Sequence, residues 1–465
     1  MAEGAREDEA DRSTSGSADP AAAAATGDAD LDRRRFFRQF AADVFQATAT
    51  VVGAANALQQ TSMQAASAIL DPEGTATALT ATAEAAAHES SPRGFRTAFR
   101  LDGDRLILVD QRELPRRLHE IECRTGADVA WAIREMVIRG APAIGQAAAY
   151  GMAMTAGRGV DLAPFARRAT IRTTATTLRN ARPTAVNLSW AIDRMLAALE
   201  RAGSLEDDGT IIADAMWAEA EAITAEATRD HGLLAEHGLA HLPQPPDRPV
   251  RVLTHCNTGP LACGQFGTAL GVVQAAANAG REIHVYVDET RPYLQGARLT
   301  AWELEQAGIP YTLIADGAAG SLLASGRVDA ILVGADRVAA NGDTANKIGT
   351  YPLAALAARH RVPFFVCAPL SSVDLEMAAG VAIPIEERSP TELLEFGGVR
   401  VAPPGATVWN PAFDVTPASL ISAIVTEEGA LLPPFGVALR TAVAAKQARY
   451  PQGTGTEPPT TEAAG

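Results

Sequence analysis

From residue 250 onward, short blocks of consecutive apolar residues alternate with longer stretches whose apolar positions recur every three or four residues. The blocks Val250–Thr254, Ile283–Val287, Tyr311–Ile314, Ala330–Val333 and Phe364–Val366 read as strands. Between them Gly264–Asn278, Gly296–Ala307, Ala318–Leu323 and Lys347–Arg359 read as helices. Strands separated by helices of this length pair in parallel, because a parallel connection has to cross back over the sheet. The pattern predicts an α/β fold with a Rossmann-like, doubly wound parallel sheet domain over residues 243–440. Ligands of such sheets bind outside the carboxyl ends of the strands, so the chemistry is sought there.

The preceding region is patterned differently. Arg105–Asp110 reads as a short strand. Glu120 to about Arg201 is Ala-rich with helical spacing, broken at Gly140-Ala141-Pro142 and at Arg182-Pro183. This predicts a helical N-terminal subdomain over residues 95–242, joined to the sheet through the Pro-rich stretch Pro243–Pro249. Residues 1–32 are mostly Ala, Asp, Glu, Ser and Gly, too polar to offset their ordering entropy, and are expected to be a disordered head. Residues 33–94 are expected to form an accessory helix and linker, since Phe37, Phe40, Val44, Val51, Ala55 and Leu58 recur at helical spacing. The same stretch opens with Arg33-Arg34-Arg35-Phe36-Phe37, which resembles a twin-arginine export signal. Asp43 interrupts the apolar run that export requires, so a docking helix is the preferred reading. Residues 441–465 are expected to be a helix end and a disordered tail.

Composition narrows the function. The net charge of −15 disfavours binding to a nucleic-acid backbone, where affinity comes from Lys and Arg. It leaves room for a local basic pocket and a small anionic substrate. The four cysteines, Cys123, Cys256, Cys263 and Cys367, lack metal-ligand spacing. Scattered thiols in a chain of this length point to a reducing, cytoplasmic compartment. No apolar run is long enough for a membrane span.

Four candidate clusters follow from the strand-end rule and from the helix breaks. The first strand runs into Thr254-His255-Cys256-Asn257-Thr258-Gly259, with Gly264 and Gly267 after it, a loop able to offer N–H groups to an anion. On spacing alone Cys256 also reads as a small buried apolar residue. Strand alternation points His255 away from Cys256 and gives it a structural role. The second strand ends at Asp288-Glu289-Thr290-Arg291, with Gln295 just beyond; its charges read equally as an internal ion pair or as an acidic residue for a ribose hydroxyl and an Arg for phosphate. The fourth strand stops at Gly334-Ala335-Asp336-Arg337. A buried carboxyl there would have a raised pKa and could act as an acid, or could simply cap the turn at Asn341-Gly342-Asp343. Asn346 and Lys347 are expected to begin the next helix and to offer an amide and a cation. Finally, Arg139-Gly140-Ala141 and Arg182 sit at the two helix breaks, placed either to close over a phosphate or to lie on the surface.

Seven segments taken in order carry a family resemblance: IRGAPAIG (138–145), ARPTAVNLSWA (181–191), THCNTG (254–259), ETRPYLQGARLTAWEL (289–304), GADRVAANGDTANKIGTY (334–351), IPIEER (383–388) and NPAFDVTP (410–417). The chain from about Phe95 to Pro434 resembles the methylthioribose-1-phosphate isomerases. Their superfamily also holds other pentose-phosphate isomerases and the regulatory subunits of a eukaryotic translation-initiation exchange factor. The resemblance implies an aldose–ketose isomerase with Cys256 assisting catalysis and Asp336 as proton donor. It implies substrate contacts at Arg139, Gly140, Ala141, Arg182, Gln295, Asn346 and Lys347. It further implies a sugar-phosphate substrate, a homodimer, and neither metal nor organic cofactor. The competing expectations are an isomerase of a related sugar such as 5-deoxyribose 1-phosphate, and a non-enzymatic regulatory subunit. A nicotinamide dehydrogenase is disfavoured because no GxGxxG follows the first strand.

Overall fold

The computed structural model describes residues 94–182, 185–203 and 208–449. The expectations for residues 1–32, for the accessory helix and Arg33-Arg34, and for residues 450–465 lie outside the described residues.

The first elements are strands: β1 (Phe99–Asp102), β2 (Arg105–Val109) and β3 (Glu120–Cys123) form a small antiparallel sheet. Glu120 therefore begins a strand and not the expected helix. The helix starts at Gly126, where Thr125 and Asp128 form a reciprocal capping box that leaves Glu120–Cys123 outside the helix. Helices Gly126–Arg134, Ala141–Arg158, Pro164–Arg179 and Val186–Arg201 follow, then the long helix Gly209–His241. Ala141–Arg158 is apolar on every side and lies in the centre of this group, which suits its run of Ala and Gly.

After residues 243–249 come β4 (Val250–Thr254), β5 (Ile283–Asp288), β6 (Tyr311–Ile314) and β7 (Ala330–Val333), each where its apolar block predicts. They are followed by β8 (Arg337–Ala339), β9 (Thr344–Lys347), β10 (Phe364–Cys367), β11 (Val373–Asp374), β12 (Glu395–Phe396) and β13 (Val399–Arg400). The last three are β14 (Phe413–Thr416), β15 (Ala423–Thr426) and β16 (Gly429–Leu431). The main sheet has the order β16-β15-β10-β7-β4-β5-β6, parallel except for β16 at one edge. Counted along the chain, its six parallel strands lie as 3-2-1-4-5-6. Winding reverses between β4 and β7, and that is where a doubly wound sheet opens a crevice.

Strand alternation divides the core. Val250, Val252, Val285, Val287, Leu332 and Phe365 face one layer, with helix Ala269–Asn278. Leu253, Ile331, Val333, Phe364 and Val366 face the other, with helices Ala319–Ala324 and Thr350–His360. The long helix Gly209–His241 supplies Ile212, Met216 and Ile223 to the core around Ala141–Arg158, and Leu234 to the first sheet layer.

Two helix boundaries differ from expectation. The stretch from Gly264 is not helical at its start: a single turn, Pro260–Cys263, comes first, and the helix begins at Ala269. Gly264 ends that turn at φ +107°, and a Cβ there would lie 2.4 Å from Oε1 of Gln146, so the chain reverses at a residue only glycine can occupy. Likewise Asn346 and Lys347 end β9, and the helix begins at Thr350 after Gly349. β8, β9 and β14, with β11 beside β8, make a second small sheet that carries these residues.

Candidate active site

The carboxyl ends of β4 and β7 are locked side by side. Thr254 and Leu332 are register partners, and the Thr254 hydroxyl donates to the Leu332 carbonyl at 2.8 Å. Two residues past β4 lies Cys256; three past β7 lies Asp336. Both line one small cavity, together with Arg139, Gly140, Arg182, Gln295 and Lys347. Cys256 and Asp336 thus share a space at the switch point, on adjacent strands.

Ala141 and Asn346 are not in its wall. Ala141 is the first residue of helix Ala141–Arg158, one position behind Gly140. Asn346 precedes Lys347 on β9, and strand alternation turns the two side chains opposite ways. Its amide donates instead to the Thr350 hydroxyl at 3.0 Å.

Burial governs the protonation states. It pushes the Asp336 carboxyl up, against the opposing charges of Lys347, Arg182 and Arg139. It pushes the Cys256 thiol up as well, with Arg139 and Lys347 pulling the other way. It pulls the Lys347 ammonium down, while Cys256 and Asp336 favour its charged form. Lys347 lies 4.9 Å over the Phe413 ring, its register partner across β9 and β14.

The cationic wall is braced from outside. Arg182 pairs with Glu386 at 3.1 Å, and Arg388 bridges Glu386 and Glu392. Arg139 donates from Nε to Gln111 and from Nη2 to the Asn257 side chain. The helix behind Arg139 has no side-chain cap at Gly140, and because Pro142 carries no N–H, the Gly140 and Ala141 N–H groups are what this turn can offer an anion. Gln295 is buried, and its Oε1 lacks a hydrogen-bond partner among the described residues, so the wall offers an acceptor suited to a hydroxyl.

His255 takes the structural role that strand alternation predicts. Its Nδ1 meets Asp288 at 2.9 Å and its Nε2 the Ile348 carbonyl at 2.8 Å, so neither nitrogen serves Cys256. Asp316 stands close by, but its two oxygens accept from the N–H groups of Thr290 and Arg291.

Reading the sequence assigned no role to several wall residues: Met136, Tyr293, Arg388, Glu392, Asn410 and Phe413. Tyr293, Arg388 and the stretch Asn410–Phe413 belong to three of the seven segments, so the signal was present there without a chemical reason attached.

Residues 137–433 match the initiation factor 2 subunit family. The chain is 51% identical over 340 residues to a methylthioribose-1-phosphate isomerase of Chloroflexus aurantiacus, covering 73% of this chain and 96% of that one. It is 52% identical over 341 residues to one of Desulforudis audaxviator, covering 73% and 95%. The chain belongs to the methylthioribose-1-phosphate isomerase family. A crystal structure of 5-methylthioribose 1-phosphate isomerase from Pyrococcus horikoshii superposes with a TM-score of 0.70 at 41% identity, covering 77% of this chain and 97% of that one. Translation initiation factor eIF-2B, subunit delta, from A. fulgidus gives 0.67 at 38%, covering 76% and 100%. The isomerase and the initiation-factor subunit share this fold, so the fold alone does not fix the function.

Gly140 is the tightest point of the cavity wall. It sits at φ +94°, and a Cβ would lie 2.3 Å from the Ala262 carbonyl oxygen and 2.5 Å from the Ala262 Cα. Gly140→Ala should therefore cost roughly 1–3 kcal/mol of stability, read by urea unfolding, and displace Arg139. An unchanged unfolding midpoint would show that the turn relaxes freely.

Proposed function

We propose that this chain is an aldose–ketose isomerase that converts 5-methylthioribose 1-phosphate to 5-methylthioribulose 1-phosphate in methionine salvage. The observation that carries this reading is the cavity shared by Cys256 and Asp336, ringed by Arg139, Arg182 and Lys347, in a chain half identical to enzymes of that name. The substrate is a furanose whose C1 oxygen carries phosphate, so it cannot open as a free sugar does. The ring oxygen takes a proton from the Asp336 carboxyl as its bond to C1 breaks. Hydrogen moves from C2 to C1, and the C2 hydroxyl gives up its proton to the Asp336 carboxylate as it becomes the ketone, which restores the acid. No step requires a metal or organic cofactor. Cys256 stands beside the path of the migrating hydrogen. Arg139, Arg182, Lys347 and the N–H groups at Gly140 and Ala141 bind the phosphate. Gln295 accepts from a sugar hydroxyl, and Asn346 supports the site through Thr350 at the end of β9.

The remaining assignments belong to the same reading: a homodimer, a cytoplasmic location, and a body divided into residues 95–242 and 243–440. No helix among the described residues is long and apolar enough to cross a membrane. The test is to offer the purified protein methylthioribose 1-phosphate, 5-deoxyribose 1-phosphate and ribose 1-phosphate and to measure ketose. Turnover should be fastest on the first. Turnover on none would overturn the isomerase reading, and a preference for another sugar would correct the substituent at C5.

A further inference from the structure

Cys256 adopts φ +65°, the left-handed region that side chains other than glycine avoid. Both of its backbone groups are caught by buried threonine hydroxyls. The Cys256 N–H donates to Thr290 Oγ1 at 2.9 Å, and Thr300 Oγ1 donates to the Cys256 carbonyl at 2.7 Å. Neither threonine has any solvent exposure. We infer that Thr290 and Thr300 are positioning residues that hold Cys256 in this strained conformation, so that its thiol points into the cavity.

The surroundings give each hydroxyl a full set of partners. Thr290 Oγ1 donates to the Asp288 carbonyl at 3.1 Å while it accepts from Cys256, and the Thr290 N–H is itself tied to Asp316. Thr300 Oγ1 accepts from the Asn257 amide at 3.1 Å while it donates to Cys256. That amide also reaches Glu303 at 2.5 Å, and the Asn257 carbonyl oxygen receives Arg139. Thr300 is therefore joined on one side to the thiol residue and on the other, through Asn257, to an arginine of the cationic wall. It closes the π-helical turn Gly296–Thr300, and such wide turns recur at functional sites. Backbone strain of this kind persists only where neighbours over-determine it. Without the two hydroxyls, Cys256 would relax toward the extended backbone of β4 and carry its thiol away from the cavity.

The inference rests on the isomerase reading, and the experiment separates the two. Thr300→Val and Thr290→Val keep the shape and delete the hydroxyl; the corresponding serine variants keep the hydroxyl. Steady-state kinetics on methylthioribose 1-phosphate should show kcat lowered about 10- to 100-fold by either valine, the scale of a 1 Å misplacement of a reacting group. KM should stay within about threefold, because Glu303 still holds the Asn257 amide and with it Arg139, and serine should restore most of kcat. Circular dichroism identifies any variant that fails to fold; Thr300→Val alone then carries the test. Folded valine variants with unchanged kcat, or with a raised KM and unchanged kcat, would overturn the inference and leave the isomerase reading standing. An inactive parent protein would overturn both.

Discussion

Asp336→Asn is expected to lower kcat by about 10³-fold or more while KM stays within about threefold, the pattern of a lost general acid. The substitution keeps the size and shape of the side chain and removes only its capacity to release a proton. Asp336 is suited to that task because burial holds its carboxyl above the usual range even though Lys347, Arg182 and Arg139 oppose the shift. In the proposed mechanism the active form is the protonated one. Its fraction is full below the raised pKa and falls as pH rises through it, so the parent enzyme should lose rate on the alkaline side. Ketose formation followed across pH, with substrate binding measured separately by calorimetry, checks both halves. An asparagine variant within tenfold of the parent would remove Asp336 from the chemistry.

Cys256→Ala is expected to reduce kcat by about 10²–10³-fold, again with little change in KM. Burial raises the Cys256 thiol, so in the proposed mechanism the side chain acts in its neutral form, placed against the migrating hydrogen. Alanine removes the sulfur and leaves the left-handed turn and its two threonine bonds in place. The loss should therefore exceed that of either threonine variant, and a threonine substitution added to Cys256→Ala should cost little more, because both act on the same atom. Full additivity of the two losses would show that the threonines act elsewhere.

The parallel strands were legible because each is an apolar block buried on both faces, bounded by turn residues. Their ends mark the stretches that carry Cys256 and Asp336. The small sheet of β8, β9, β11 and β14 was not legible. β9 reads Thr-Ala-Asn-Lys, a polar tetrapeptide whose four residues are all buried by tertiary contacts that no local pattern encodes. That concealed the side on which Lys347 and Asn346 fall. The bracing of Arg182 by Glu386 joins residues some 204 positions apart, beyond the reach of any periodicity. The left-handed backbone at Cys256 has no sequence signal, since glycine is the residue that announces such a turn.

The helix Gly209–His241 runs for 33 residues and is anchored in two separate apolar clusters. At about 1.5 Å per residue it spans roughly 50 Å. Half of it, left without its cluster, would be a lone segment of the length at which isolated helices are marginal in water. Neither cluster can come apart without stripping part of this strut, so injury to one is transmitted to the other and the body is built to fail as a unit.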